Sequence, residues 1–401
     1  MNRDRTERAG LAAVVFAVLF AQVLLYPGVP ALVDSLGGSG PLDAGRAFLA
    51  AEFAGFVLFA GAWGSISDRA GRRGPFVALG AFGGAAGYLV MAAVPALSFA
   101  GVLVVRFVQG AFTIGAFSLA IAALMDLDGG GGRNMGAAGI AIGLGTGLGA
   151  PVGGQLYRLG PRAPLVVAAG LLAVVGVAAL RLGERADADG GTDGTLMAAV
   201  RVLRDRPALA VPFAFGFADR FTAGFFALVG VAFLQARFGL DPAATGLLLG
   251  AFFIPFALLQ YPLGVLSDRV GRIGPVAAGS FAYGLVIVGV AFAPTVPVAA
   301  VVMALVGAFG ALCAPATLAL VQDLAAADQR GTATGGFNVV GSVGFLAGVV
   351  GGGLLAERVG YTTAFLVAGG AELLLAVALL PALFRLDTDR VATFADGSEG
   401  D

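Results

Sequence analysis

Gly64-Ser65-Ile66-Ser67-Asp68-Arg69-Ala70-Gly71-Arg72-Arg73-Gly74-Pro75 recurs as Gly264-Val265-Leu266-Ser267-Asp268-Arg269-Val270-Gly271-Arg272-Ile273-Gly274-Pro275. Eight of the twelve positions are identical at an offset of 200 residues. Each copy closes the second of a series of long apolar runs, so the chain reads as one unit duplicated in parallel orientation. A helix needs about 20 mostly apolar residues to cross a hydrocarbon core, where an open backbone finds no hydrogen-bond partner. Twelve stretches reach that length: 9–33, 44–67, 75–94, 97–125, 134–157, 163–182, 207–236, 242–267, 274–293, 297–322, 331–357 and 361–384. The uncharged run Ile273 to Gln322 contains two of them, divided at Pro294-Thr295-Val296-Pro297.

Composition agrees and excludes much else. Only 12% of the 401 residues are charged and 58% are hydrophobic, with a mean hydropathy of +0.92. Soluble domains carry about a quarter charged residues, so this chain cannot coat a globule, and a soluble enzyme is excluded. With no His and one cysteine, Cys313, a Cys/His metal site and an internal disulfide are both ruled out. No residue is Lys, the net charge is −1, and the basic patch of a nucleic-acid binder is missing. Neither a nucleophile–base pair nor a phosphate loop is found, so no enzyme activity, metal or cofactor is expected.

Arginine placement orients the spans, because cytoplasmic loops retain positive charge. Seventeen arginines fall at alternate span ends (Arg3, Arg5, Arg8, Arg69, Arg72, Arg73, Arg133, Arg181, Arg185, Arg201, Arg204, Arg206, Arg269, Arg272, Arg330, Arg385 and Arg390), against five at the opposite ends (Arg46, Arg158, Arg162, Arg237 and Arg358). Both termini are therefore expected in the cytoplasm. The expected organisation is an N-terminal six-helix bundle (1–182), a polar cytoplasmic linker (183–206), a C-terminal six-helix bundle (207–387) and a disordered acidic tail (388–401). Within the linker, Leu196, Val200 and Leu203 recur at helical spacing with Arg201 and Arg204 on other faces. A short helix along the membrane surface and an irregular loop both fit that pattern.

The Gly64–Arg73 segment resembles the signature loop between the second and third helices of the major facilitator superfamily of secondary transporters, G-x-L-A/S-D-R-x-G-R-R, with Ile66 in the Leu position. The resemblance covers essentially the whole chain. It implies an all-α integral membrane fold of twelve transmembrane helices in two pseudo-symmetric six-helix bundles, the major facilitator fold. It further implies a gate latch. Asp68 would sit at the start of span eleven, near Gly331, and Arg72 would bridge to Asp126, with Asp268, Arg272 and Asp323 forming the matching set. A carboxylate at a helix N-terminus gains from the dipole there, and such clusters can hold one arrangement and release in the other. A solvated charged loop that serves only topology is the alternative.

Charges inside spans point to the site, since an intramembrane arginine costs ~2.5–3.5 kcal/mol on insertion scales and is functional by default. Arg106-Phe107-Val108-Gln109-Gly110 resembles the R-x-x-Q-G element of proton-coupled members. Arg106 lies ~13 Å into span four and Glu52 at similar depth in span two, reckoned at 1.5 Å per residue. The two are expected to pair, with Glu52 loading a proton when its surroundings change. A permanently closed structural ion pair is the other reading. Asp219 and Arg220 lie in the middle of span seven and point about 100° apart, so at least one should face a wet cavity or another helix. Asp219 is the second proton-coupling candidate, and Arg220 a substrate or counter-charge group. Glu372 in span twelve is expected in a packing or lipid-interface role. Gln22, Gln109, Phe112, Phe217, Arg220 and Phe225 are the cavity candidates, with Phe107, Phe215 and Phe226 adding to an aromatic lining.

Span five carries two rows of glycine four apart, Gly139, Gly143, Gly147 and Gly145, Gly149, Gly153, before Pro151 and Gly154. Such rows let backbones approach closely. The element resembles, in part, the Gly-Pro antiporter motif, with Ala150 and Gln155 departing from it; span eleven echoes the packing in Gly344, Gly348 and Gly352 but has no proline. Pro27 and Pro30 should break the outer end of span one, and the pair looks like that of the drug/proton antiporter branch. The resemblance thus implies a proton-coupled antiporter that exports small lipophilic or organic compounds by alternating access. It would be a monomer in the plasma membrane whose partners are its substrate, protons and the bilayer. The alternatives are an ion-coupled importer of a small polar metabolite, held by Arg106 or Arg220, and a non-transporting receptor on a transporter fold.

Overall fold

The computed structural model describes residues 2–94, 97–127, 131–181, 196–326 and 329–397, which are helical with no strand among them. The first half contains α1 (Asn2–Val23), α2 (Val29–Ser35), α3 (Pro41–Ala70), α4 (Gly74–Ala93), α5 (Phe99–Met125), α6 (Gly131–Leu156) and α7 (Ala163–Ala179). After α8 (Leu196–Asp205), the second half contains α9 (Ala210–Phe225), α10 (Val231–Phe238), α11 (Pro242–Val270), α12 (Ile273–Ala291), α13 (Val296–Leu324), α14 (Arg330–Val359) and α15 (Tyr361–Gly397). α1 with α2, and α9 with α10, are two pieces of one span each, so twelve spans result. Eleven are long and apolar enough to cross a membrane. The remaining one, α7, is apolar but has only 17 residues; it stops short of the 163–182 expected because the chain turns at Leu180, just before Arg181.

Local chemistry sets the ends. α3 starts at Pro41 and stops at Gly71, which takes left-handed φ 62° and returns its N–H to the Ser67 and Asp68 carbonyls. α5 is capped by Ser98, whose hydroxyl accepts from the Gly101 N–H at 3.3 Å, and α11 by Asp241, which accepts from the Ala244 N–H at 2.8 Å. The linker expected over 183–206 is helical over Leu196–Asp205; its stretch 183–195 lies outside the described residues. α15 continues through Gly397, past Thr388 where a disordered tail was expected; residues 388–396 contain neither Pro nor Gly.

The spans alternate in direction, so both chain ends and α8 share one face, here the terminal face; the other is the far face. At the far face the halves meet. Arg46 of α3 bridges its own-helix neighbour Asp43 and, at 2.6 Å, Glu357 of α14. The Gln235 amide of α10 donates to the Pro27 carbonyl at 2.7 Å. Deeper in, Phe53 of α3 stacks on Phe345 of α14 with ring centroids 3.8 Å apart. Gly154 and Ala150 of α6 lie against Gly246 and Pro242 of α11, close enough that a Cβ on Gly154 would meet backbone. Toward the terminal face the contact ends: Gly143 still meets Ala257, whereas nothing would lie within 4 Å of a Cβ on Gly139 or Gly136. The seam is closed at one end and parted at the other.

Candidate functional site

The site begins where α3 and α5 pack backbone to backbone. A Cβ on Gly110 would collide with the Glu52 main chain, and one on Gly55 with that of Phe107, so these two glycines set the helix separation. That closeness brings Glu52 and Arg106, expected at equal depth, into contact: the Arg106 Nη2 donates to Glu52 Oε2 at 2.6 Å. The arginine's side chain is 0% and the glutamate's 1% exposed. Arg106 Nη1 also donates to Gln109 Oε1 at 2.7 Å, whose amide donates to Thr113 Oγ1 at 3.2 Å. The guanidinium lies over the Phe48 ring at 4.5 Å and near Tyr88 at 5.4 Å, which desolvates it further. Its Nε has no hydrogen-bond partner among the described residues. One residue along α3 from Glu52 is Phe53, which stacks on the opposite half, so the ion pair sits just behind the seam.

The proline break of the first span is present: a short 3-10 turn, Tyr26–Gly28, separates α1 from α2. Breaking a helix frees carbonyls that a bilayer cannot hydrate. Two are taken up by side chains the sequence did not single out, Tyr157 donating to the Leu25 carbonyl at 2.8 Å and Gln235 of the other half donating to Pro27. Tyr26, inside the turn, reaches the seam, 6.3 Å from Phe345 between ring centroids. The glycine rows of α6 serve different faces. Gly145, Gly149 and Gly153 pack on α1, while Gly143, Gly147, Pro151 and Gly154 face α11 across the seam. The Gly344, Gly348 and Gly352 row of α14 packs closely as expected, with α9 as its partner.

In the second half, Asp219 is half-buried and its carboxylate is 3.7 Å from Arg220, whose side chain is 55% exposed near the middle of the 32-residue span Pro207–Phe238. Glu372 is buried rather than lipid-facing, and accepts from the Ser280 hydroxyl at 2.5 Å.

Some expectations are corrected. Arg73, which the expected latch did not include, pairs with Asp126. The left-handed turn at Gly71 leaves Arg72 exposed and folds Arg73, at the entry to α4, back into the bundle, where it also lies 3.7 Å from Asp68. In the second half Gly271 adopts a different turn (φ 89°, ψ 162°), and there Arg272 bridges Asp268 and Asp323, the latter at 3.3 Å, while Ile273 takes the buried place of Arg73. Asp68 has its ion pair inside its own half rather than at the start of α14 near Gly331, because the halves are parted at that face. Phe225 and Phe226 do not line a cavity; both are fully enclosed, packed on Phe365 within the second half. Phe215 is likewise core, clustered with Ile273 and Val276. Gln22 and Gln109 are buried beside the ion pair, and Phe112 and Phe217 remain half-buried. The Arg46–Glu357 clasp and the π turn Phe226–Gly230 were not anticipated.

The Major Facilitator Superfamily model matches residues 11–233 and 213–400. Two MFS-type transporters of Methanocaldococcus jannaschii align: MJ1560 at 30% identity over 38% of this chain and 40% of its own length, and MJ1317 at 35% over 28% and 27%. The chain thus covers less than half of either relative. Among solved structures, the nucleoside transporter NupG superposes with TM-score 0.75 at 16% identity (94% of this chain, 100% of that one). The human organic anion transporter MFSD10 gives 0.70 at 20% (95% and 99%), and a bacterial homologue of the human lysosomal transporter Spinster, inward-facing and occupied, 0.76 at 13% (97% and 97%). At these identities the likeness is one of fold.

Proposed function

Because the chain belongs to the Major Facilitator Superfamily, and is a multi-pass membrane protein of the secondary-transporter class, we propose that it couples proton movement to export of small lipophilic or organic compounds, in the manner of the drug/proton antiporter branch. In this reading the termini are cytoplasmic, the far face is external, the protein works as a monomer in the plasma membrane, and the halves 1–182 and 207–387 rock as units about the seam. The observation that carries it is the Glu52–Arg106 pair, buried at 1% and 0% exposure directly behind the Phe53–Phe345 stack. Opening the far face parts that stack and gives the carboxylate a route to external protons; closing it returns Glu52 to a dry environment. Protonation of Glu52 removes the charge that balances Arg106, so proton occupancy and seam geometry are linked through one contact. Asp219, beside Arg220, is the second carboxylate assigned to the cycle. The latch sets at the terminal face, now Asp68–Arg73–Asp126 and Asp268–Arg272–Asp323, govern the opposite gate.

Gradient-driven uptake into inverted vesicles tests this, with cargo chosen from a panel of compounds by pH-dependent binding. Glu52→Gln and Asp219→Asn abolish coupled uptake on this reading; coupling that survives both substitutions rejects it. A second reading, ion-coupled import of a small polar metabolite, is favoured by one observation. Arg220 keeps 55% of its side chain exposed at mid-span, and intramembrane arginines face water-filled cavities, where a guanidinium suits an anionic group on the cargo. Uptake of a carboxylate or phosphate ester into right-side-out vesicles, lost in Arg220→Ala, would decide for it.

A further inference from the structure

α8 carries apolar residues on two sides. It buries Ala199 and Val202 against the second half, with Ala199 lying on Gly336 of α14 and Val202 clustered with Leu209, Phe213, Val321 and Phe337; Ala198 is buried as well. Arg206, directly after the helix, donates to the Leu324 carbonyl at the end of α13 at 3.0 Å, which fixes α8 beside the terminal-face ends of α9 and α13. The side turned away from the protein carries large apolar residues among its charges. Leu196 is 51%, Met197 72% and Val200 40% exposed. Reckoned at ~100° per residue, Leu196, Val200, Arg204, Met197 and Arg201 follow one another around that side. Arg201 and Arg204 are exposed and form no ion pair among the described residues.

We propose that this outer face of α8 is a docking surface for the anionic phospholipids of the leaflet at the terminal face. Leu196, Met197 and Val200 enter the acyl boundary while Arg201 and Arg204 engage lipid phosphates. Charge selects the occupant: three large apolar side chains at the bilayer boundary, flanked by two uncommitted guanidinium groups, match a negatively charged headgroup layer and would be a liability facing open water. Because the opposite side of α8 is packed on α14, the lipid contact tethers the end of the second half that must move when the terminal face closes.

The test uses the full chain reconstituted in phosphatidylcholine vesicles with or without phosphatidylglycerol. An environment-sensitive fluorophore is placed at Met197→Cys; the native Cys313 is buried. Brominated lipid is expected to quench the label and aqueous iodide to be excluded, both effects growing with phosphatidylglycerol. Each arginine beside an anionic leaflet is worth about a five-fold change in occupancy, so Arg201→Gln/Arg204→Gln should lower the preference for phosphatidylglycerol on the order of twenty-fold. A second label at Leu258→Cys, exposed on α11, reports insertion and folding of every variant. The proposal is overturned if iodide alone quenches position 197 in both lipids, if neither quencher reaches it, if phosphatidylglycerol and the arginine substitutions leave quenching unchanged, or if inorganic phosphate reproduces the phosphatidylglycerol effect.

Discussion

Replacing Glu52 by Gln removes one charge and leaves the shape of the side chain almost unchanged, so its cost can be worked from the contacts of Arg106. Breaking a fully buried ion pair by neutralising one partner costs about 3–5 kcal/mol, because the other charge is left uncompensated. Here the remaining charge keeps some support: Gln109 Oε1 at 2.7 Å and the Phe48 ring at 4.5 Å, the latter worth up to ~2 kcal/mol when desolvated. The expected loss is therefore at the lower end, about 3 kcal/mol, or a fall in melting temperature on the order of 5 °C for a chain this long. Neutralising both partners, Glu52→Gln/Arg106→Gln, leaves no orphan charge and should restore stability to the wild-type value or above it. Thermal unfolding in detergent measures this, and vesicle uptake measures function beside it. A pair that only held α3 to α5 would give a double variant that is both stable and active. The coupling account requires a double variant that is stable and no longer driven by pH. Glu52→Gln within about 1 kcal/mol of wild type, or a double variant with intact pH-driven transport, would refute the reasoning.

Three further outcomes follow from the geometry. Arg46→Ala removes a partly exposed clasp worth about 0.2–1 kcal/mol, so spin-label distances across the far face should shift toward the open population by no more than about five-fold, with little change in melting temperature. Arg73→Gln should destabilise the protein clearly more than Arg72→Gln, since Arg73 is buried against Asp126 and Arg72 is exposed; equal melting temperatures would place the pairing on Arg72 after all. Gly154→Val pushes a side chain into the α11 backbone, which at the usual 1–3 kcal/mol for overpacking should disfavour the far-face-closed state and raise accessibility of a cysteine placed at Gly45.

What could be read from the residues was what the bilayer or local stereochemistry dictates alone. The spans follow from the length of uncharged runs, the break after Val23 from Pro27 and Pro30, and the meeting of Glu52 with Arg106 from their equal depth on two spans that run in the same direction from the same face. Phase and partner escaped it. Arg72 and Arg73 are adjacent, and only the turn adopted at Gly71, unlike that at Gly271, decides which one swings inward. Phe225 and Phe226 sit on a span assumed to line a pathway, but both rings pack inward on Phe365 within their own bundle. The rows of α6 announced close packing without saying that one meets α1 and the other α11. Arg46 and Glu357, 311 residues apart, carry no local sign of each other.

The most direct test of the central claim needs no cargo. Spin labels at Leu42 and Val359, at the far ends of α3 and α14 on opposite sides of the seam, report opening of the far face as a distance distribution measured across a pH series. The account predicts two populations whose ratio changes with pH in the wild type and is pH-independent in Glu52→Gln. A Glu52→Gln protein that switches with the wild-type midpoint would contradict it.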